Sequence, residues 1–202
     1  YVPGDEGLDA LAAEIYGVSK RPPLGAAPAY VQAHKPGSGW SMAARVVAEY
    51  FVRESKHGRA MDPEADYEVI QKKTQLPMSD VRIGVLDLVG AGLLRRDEYI
   101  GGETISPEAD LFSIFDVEFM EWDPEQDARD LARYLVNLNS NSTNCATVAQ
   151  SLGWPARRFN PAMAYLISAR IVESDEVLGE GAPYDPSEVF MGDELLRYVR
   201  SL

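Results

Sequence analysis

Sliding the sequence along itself by 78 positions brings two stretches into register without a gap, and this constrains the fold more than any other feature. At that offset Pro77 meets Pro155, Leu88 meets Leu166, Ala91 meets Ala169, Asp97 meets Asp175 and Glu98 meets Glu176. Apolar positions pair as well: Val81 with Phe159, Val85 with Met163, Val89 with Ile167, Leu93 with Ile171 and Leu94 with Val172. Two amphipathic helices can share a spacing by coincidence, but a match running through a turn, a helix and into a strand marks an internal duplication. The expectation is two small units built to one plan.

Periodicity supplies the plan. Ala43, Val46, Val47, Tyr50 and Phe51 repeat at helical spacing and predict a first helix from Ser41 that ends near Gly58. A second helix is expected over about 65–73, a turn at Gln75-Leu76-Pro77, and a third helix over about 78–89, stopped by Gly92. Leu93 and Leu94 open a strand, Gly101-Gly102 turns it, and Thr104-Ile105-Ser106 returns. Pro107 and Glu108 then suit the start of a linking helix carrying Leu111, Phe112, Ile114 and Phe115. After Asp123 the order recurs: a helix with Leu131, Tyr134, Leu135 and Leu138, a polar break, a helix over 146–152, Gly153-Trp154-Pro155, and a helix over about 156–169. Ahead of both units, Leu8, Leu11 and Ile15 mark a short amphipathic arm helix, followed by a Pro/Gly-rich connector. The expected fold class is mainly α with small β-hairpin wings (α+β). Its parts are an arm and connector over 1–40, one unit over 41–122 and a second over 123–202.

The stretch from Gln75-Leu76-Pro77-Met78-Ser79-Asp80-Val81-Arg82 through Leu86-Asp87-Leu88-Val89-Gly90-Ala91-Gly92-Leu93-Leu94 resembles the turn, recognition helix and first wing strand of winged helix-turn-helix proteins. Ile105-Ser106-Pro107-Glu108-Ala109 is similar to a second wing strand entering a helix. Leu152-Gly153-Trp154-Pro155-Ala156-Arg157-Arg158-Phe159-Asn160-Pro161-Ala162 resembles the first region again. The resemblance implies two tandem winged-helix domains and a transcription-regulator-like protein whose third helices enter the major groove of duplex DNA while the wings touch backbone. Arg157, Arg158 and Asn160 would then head the second recognition helix, where Arg reads guanine or phosphate and Asn reads adenine. Arg82, Lys72, Lys73, Arg95 and Arg96 would serve as secondary phosphate contacts. For the helix head the equal alternative is a solvated amphipathic face whose arginines pair with nearby acids, and the five secondary cations suit ordinary surface ion pairing at least as well.

Charge pulls the other way. The net charge is -13, divided as -1 over 1–40, -7 over 41–122 and -5 over 123–202, so neither unit is basic. Phosphate binding is driven by cations that displace counterions, and the second wing offers Glu173, Asp175, Glu176, Glu180 and Asp185 with no Lys or Arg over 173–187. The alternative is an acidic tandem winged-helix adaptor, similar in architecture to the kleisin-associated subunits of chromosome-condensing complexes. Its protein partner, or a second copy, would meet the arm through Leu8, Leu11 and Ile15, unless the arm folds back on its own domain.

Other functions find little in the residues. No phosphate loop, Gly-x-Ser-x-Gly elbow or His-Glu-x-x-His motif is present, which argues against an enzyme. His34 and His57 lack metal-ligand spacing, so neither metal nor cofactor is expected. Cys145, the lone cysteine, reads as a small buried residue of a cytoplasmic protein. Trp40, Trp122 and Trp154 read as packing at helix ends in preference to a ligand pocket. No apolar run is long enough to span a membrane, and the start at Tyr1 suggests that residues upstream were removed.

Overall fold

Helix α1 (Met42–Glu54) begins where the sequence places a cap: the Ser41 side chain accepts a hydrogen bond from the Ala44 N–H. Its apolar residues bury Val47, Phe51 and Val52 completely, so it lies at the centre of the first half. The computed structural model describes residues 39–175 and 183–202. The expected arm helix, the connector before Gly39 and the tip of the second wing lie outside them. Among the described residues, eight α-helices and two small antiparallel sheets make a mainly helical α+β structure.

The first half continues with α2 (Tyr67–Thr74), α3 (Met78–Gly90) and the hairpin β1 (Leu94–Tyr99) and β2 (Gly102–Pro107). The hairpin pairs Leu94 with Pro107 through Tyr99 with Gly102, and Gly101 at φ +115° supplies the turn. Helix α4 (Ala109–Phe119) follows. The second half holds α5 (Pro124–Asn137), β3 (Ser142–Asn144), α6 (Cys145–Leu152), α7 (Ala156–Ser168), β4 (Glu173–Ser174), β5 (Glu188–Phe190) and α8 (Asp193–Ser201). Its sheet has the order β3-β5-β4.

The offset seen in the sequence holds in the backbone. Helices α2 and α6, like α3 and α7, begin and end 78 residues apart. Asp66 and Asn144 occupy the same cap, accepting from the Val69 and Thr147 N–H groups. Gln75 and Gly153 both leave their helices in the left-handed region, at φ 58° and 67°. Gly92 and Arg170 do the same after the third helix, at φ 74° and 56°. Arg170 accepts the conformational cost that Gly92 avoids.

The halves keep separate cores. In the first, Phe51, Ile70, Leu88 and Ile105 are fully buried; in the second, Leu131, Leu135, Phe159 and Met163 are. They are nevertheless joined, because α4 packs against both α1 and α7, and Ser38–Leu202 forms one compact unit. Three features depart from expectation. Helix α1 stops at Glu54, capped by the Ser55 N–H donating to the Phe51 carbonyl, four residues before Gly58. The polar break contains the strand β3, whose pairing with β5 no local pattern announces. Helix α8 closes the second half by burying Leu195.

Cys145, at the start of α6, is buried, and burial followed by the charges of Asp175, Asp185 and Glu188 pushes its thiol up to about 12. An unfolded thiol ionises near about 8.5. Between those values the unfolded state has lost the proton that the folded state retains, so stability should fall with rising pH by about 1.4 kcal/mol per unit from this group. The slope is read from urea unfolding of the wild type against Cys145→Ala. At pH 8, native protein should resist a thiol reagent that labels it at once in urea; rapid native labelling would refute the burial.

Candidate functional site

The two third helices are the surfaces on which function was expected, and the fold treats them oppositely. Positions Ser79 and Arg82 of α3 are exposed. Their counterparts at the 78-residue offset, Arg157 and Asn160 of α7, retain 8% and 1% exposure.

Arg157 reaches into the seam between the halves. It donates from Nη1 to Asp116 Oδ2 at 2.5 Å and from Nη2 to Asp116 Oδ1 at 2.7 Å, with a third bond from Nη2 to the Val52 carbonyl at 2.9 Å. The guanidinium lies over the rings of Phe112 and Trp122, at 5.0 and 5.6 Å from their centroids. Asp116 is fully buried and also accepts from the Trp122 indole N–H at 3.0 Å. Burial pushes its carboxyl above the ordinary carboxylate range, against the pull of Arg157 and Trp122.

Backbone chemistry permits this close approach. Pro161 lies inside α7 and has no N–H to return to the Arg157 carbonyl. Gly58, at φ +63°, comes so near that a β-carbon there would sit 2.8 Å from Arg157 Nη1 and 3.0 Å from the Arg157 carbonyl oxygen. The Ser113 hydroxyl donates to the Pro161 carbonyl at 3.0 Å, fastening α4 to α7. Asn160 donates to the carbonyls of His57 and Pro183, each at 2.8 Å, tying α7 both to the first half and to the segment that leads into β5.

Arg158 is half-buried. It forms a two-pronged pair with Asp127 at 2.7 and 2.6 Å and lies 4.5 Å from the Trp154 ring centroid. Arg157 and Asn160, expected at the mouth of a DNA groove, are instead both enclosed by groups of the protein itself. The head of α7 is an internal joint. Asp116 gave a signal that sequence reasoning missed: a charged residue four positions after Phe112, on the face of α4 that must be buried.

The five secondary positions lie on the first half. Lys73 pairs with Glu54 at 3.1 Å, Arg95 with Asp97 at 2.9 Å and Arg96 with Glu98 at 2.9 Å. Arg82 stacks over the Tyr67 ring at 5.1 Å. Lys72 is exposed. The outward face of α3 adds Ile83 and Leu86, each more than half exposed, and Asp87, which accepts from the Ser41 hydroxyl at 2.6 Å. Among the described residues no group of three His, Cys, Asp or Glu side chains could hold a metal ion, and no helix is long and apolar enough to cross a membrane. Trp40, Trp122 and Trp154 each pack at a helix end, Trp40 with its ring 5.6 Å from that of Phe115. Comparison with protein-family models, with curated proteins and with solved structures found no match to this chain.

Proposed function

We propose that the chain is a tandem winged-helix module that binds protein and does not read DNA. The observation carrying this reading is the enclosure of Arg157 and Asn160, which spends the polar head of the second third helix on joining the two halves. Two helix pairs repeated at 78 residues, each followed by an antiparallel strand pair, support the winged-helix assignment. In the first half the equivalent helix offers Ile83 and Leu86 outward where a groove reader needs hydrogen-bond donors. Three of the five surrounding cations are held by carboxylates, and the net charge of -13 opposes approach to phosphates. An acidic surface interrupted by apolar side chains suits a protein partner of opposite charge.

The test is a titration of a random-sequence duplex by fluorescence anisotropy at about 50 mM salt, where non-specific DNA binding is strong. No complex is expected, for the wild type or for Arg82→Ala. A complex that weakens steeply with salt, and weakens further in Arg82→Ala, would establish DNA binding through the first half and overturn the reading.

A further inference from the structure

Between Arg96 and Arg129 the chain carries no Lys, Arg or His, yet it contains 11 Asp and Glu residues. This stretch includes α4 and the approach to α5. Asp116 is committed to Arg157, and Glu118 to Arg45 at 2.6 Å. Asp110, Ile114 and Val117 follow one another along α4 at spacings of four and three, which puts them on one face. Ile114 and Val117 are 44% and 54% exposed, although the opposite side of the same helix buries Leu111, Phe112 and Phe115 completely. That outward face is one wall of a groove of about 480 Å³, closed by Asp123 and Glu125 at the start of α5 and by Tyr165 of α7.

The groove has an apolar floor and a negative rim. Asp110 accepts from the Ser168 hydroxyl, Asp123 caps α5, and Glu125 is paired with Arg129. Among the described residues neither Asp110 nor Asp123 forms an ion pair with a cation. Tyr165 registers the local field: burial first, then the charge of Glu125, pushes its phenol up.

Charge decides what fits. A second copy, at -13, would bring like charge to the rim, and nucleic acid or an anionic membrane surface would do the same. We infer that the groove formed by α4, the start of α5 and α7 docks a basic amphipathic helix of a partner protein, whose apolar side chains cover Ile114 and Val117 while its Lys or Arg side chains meet Asp110 and Asp123. This inference rests on the protein-binding reading and adds the place and the chemistry of the partner. Helix-in-groove recognition uses apolar anchors at i, i+3 or i+4, and i+7, and two such anchors span the distance from Ile114 to Val117.

The probe is a labelled synthetic helix of about 16 residues, long enough to be helical, with Leu on one face and Lys on the other. A Leu/Glu peptide of identical pattern is the control. The full chain should bind the Leu/Lys peptide, leave the Leu/Glu peptide free, and shift the methyl resonances of Ile114 and Val117. Ile114→Ser/Val117→Ser should weaken binding about tenfold or more, as loss of central apolar anchors does, and Asp110→Asn by a smaller factor. All three residues are at least partly exposed, so an unchanged melting temperature confirms that the variants fold. The proposal is overturned if the double serine variant binds as tightly as wild type, if the Leu/Glu peptide binds equally, or if the shifts map to Ile83 and Leu86 instead. Those results leave the protein-binding reading standing, whereas a salt-sensitive duplex complex removes that reading itself.

Discussion

Arg157→Ala should be the most destabilising of the substitutions considered, costing about 3–5 kcal/mol in urea unfolding, because it leaves a buried carboxylate with one indole N–H for company. Taking a charge out of water is expensive, and Asp116 tolerates it through two short bonds from the guanidinium. Removing only the cation keeps that expense and discards its compensation. Asp116 should then take up a proton, since burial already presses its carboxyl upward with Arg157 present. The control is Arg157→Met combined with Asp116→Leu, which removes both charges and keeps comparable volume. Much of the loss should return in that variant, because buried ion pairs are often no better than packed apolar groups. If Arg157→Ala unfolds within about 1 kcal/mol of wild type, the magnitude of an exposed pair, the joint is not sealed as described. A double variant no more stable than Arg157→Ala would place the loss in packing around Phe112 and Trp122 and not in charge.

Gly84→Ala is expected to destabilise by about 1–3 kcal/mol, although alanine is the better helix former by about 1 kcal/mol. A β-carbon at Gly84 would sit 2.6 Å from the Ala43 carbonyl oxygen and 3.0 Å from the Ala44 nitrogen. Both atoms belong to the backbone at the start of α1, so α1 and α3 would have to move apart and loosen the packing around Val47 and Val85. The repeat supplies the counter-experiment. The residue 78 positions on is Ala162, buried within α7, so the second half accommodates a methyl group where the first has none. Ala162→Gly should therefore cost through lost burial and helix propensity, about 1–2 kcal/mol, with no relief of strain. Stabilisation by Gly84→Ala in thermal or urea unfolding would show that the α1–α3 contact yields, and that the glycine is not required there.

Much of the architecture was legible because its causes are local. The third helices were expected over 78–89 and 156–169 and lie at Met78–Gly90 and Ala156–Ser168; the prolines that precede them and their apolar spacing act within a few residues. Gly92 stops α3 as its sequence position suggested. What escaped was non-local or weak. The strand β3 exists through its pairing with β5, more than 40 residues later, and α8 follows a short stretch whose burial rests on Leu195. The candidate site escaped for a related reason. Arg157 and Arg158 were visible as cations heading a helix, but their carboxylate partners, Asp116 and Asp127, come from different helices.

The sequence by itself determined a duplicated, mainly helical plan, since repetition, periodicity and capping are properties of neighbouring residues. Only the tertiary structure decided which third helix faces outward. Both are amphipathic, and the choice falls to the surface each one meets: α4 presents Asp116 and Ser113 to α7, and their partners there are Arg157 and the Pro161 carbonyl. Among the described residues helix α3 meets no such surface on its outer side, and Ile83 and Leu86 are more than half exposed. Satisfying a buried charge is a long-range demand, and it is met by residues that no reading of one helix alone can bring together.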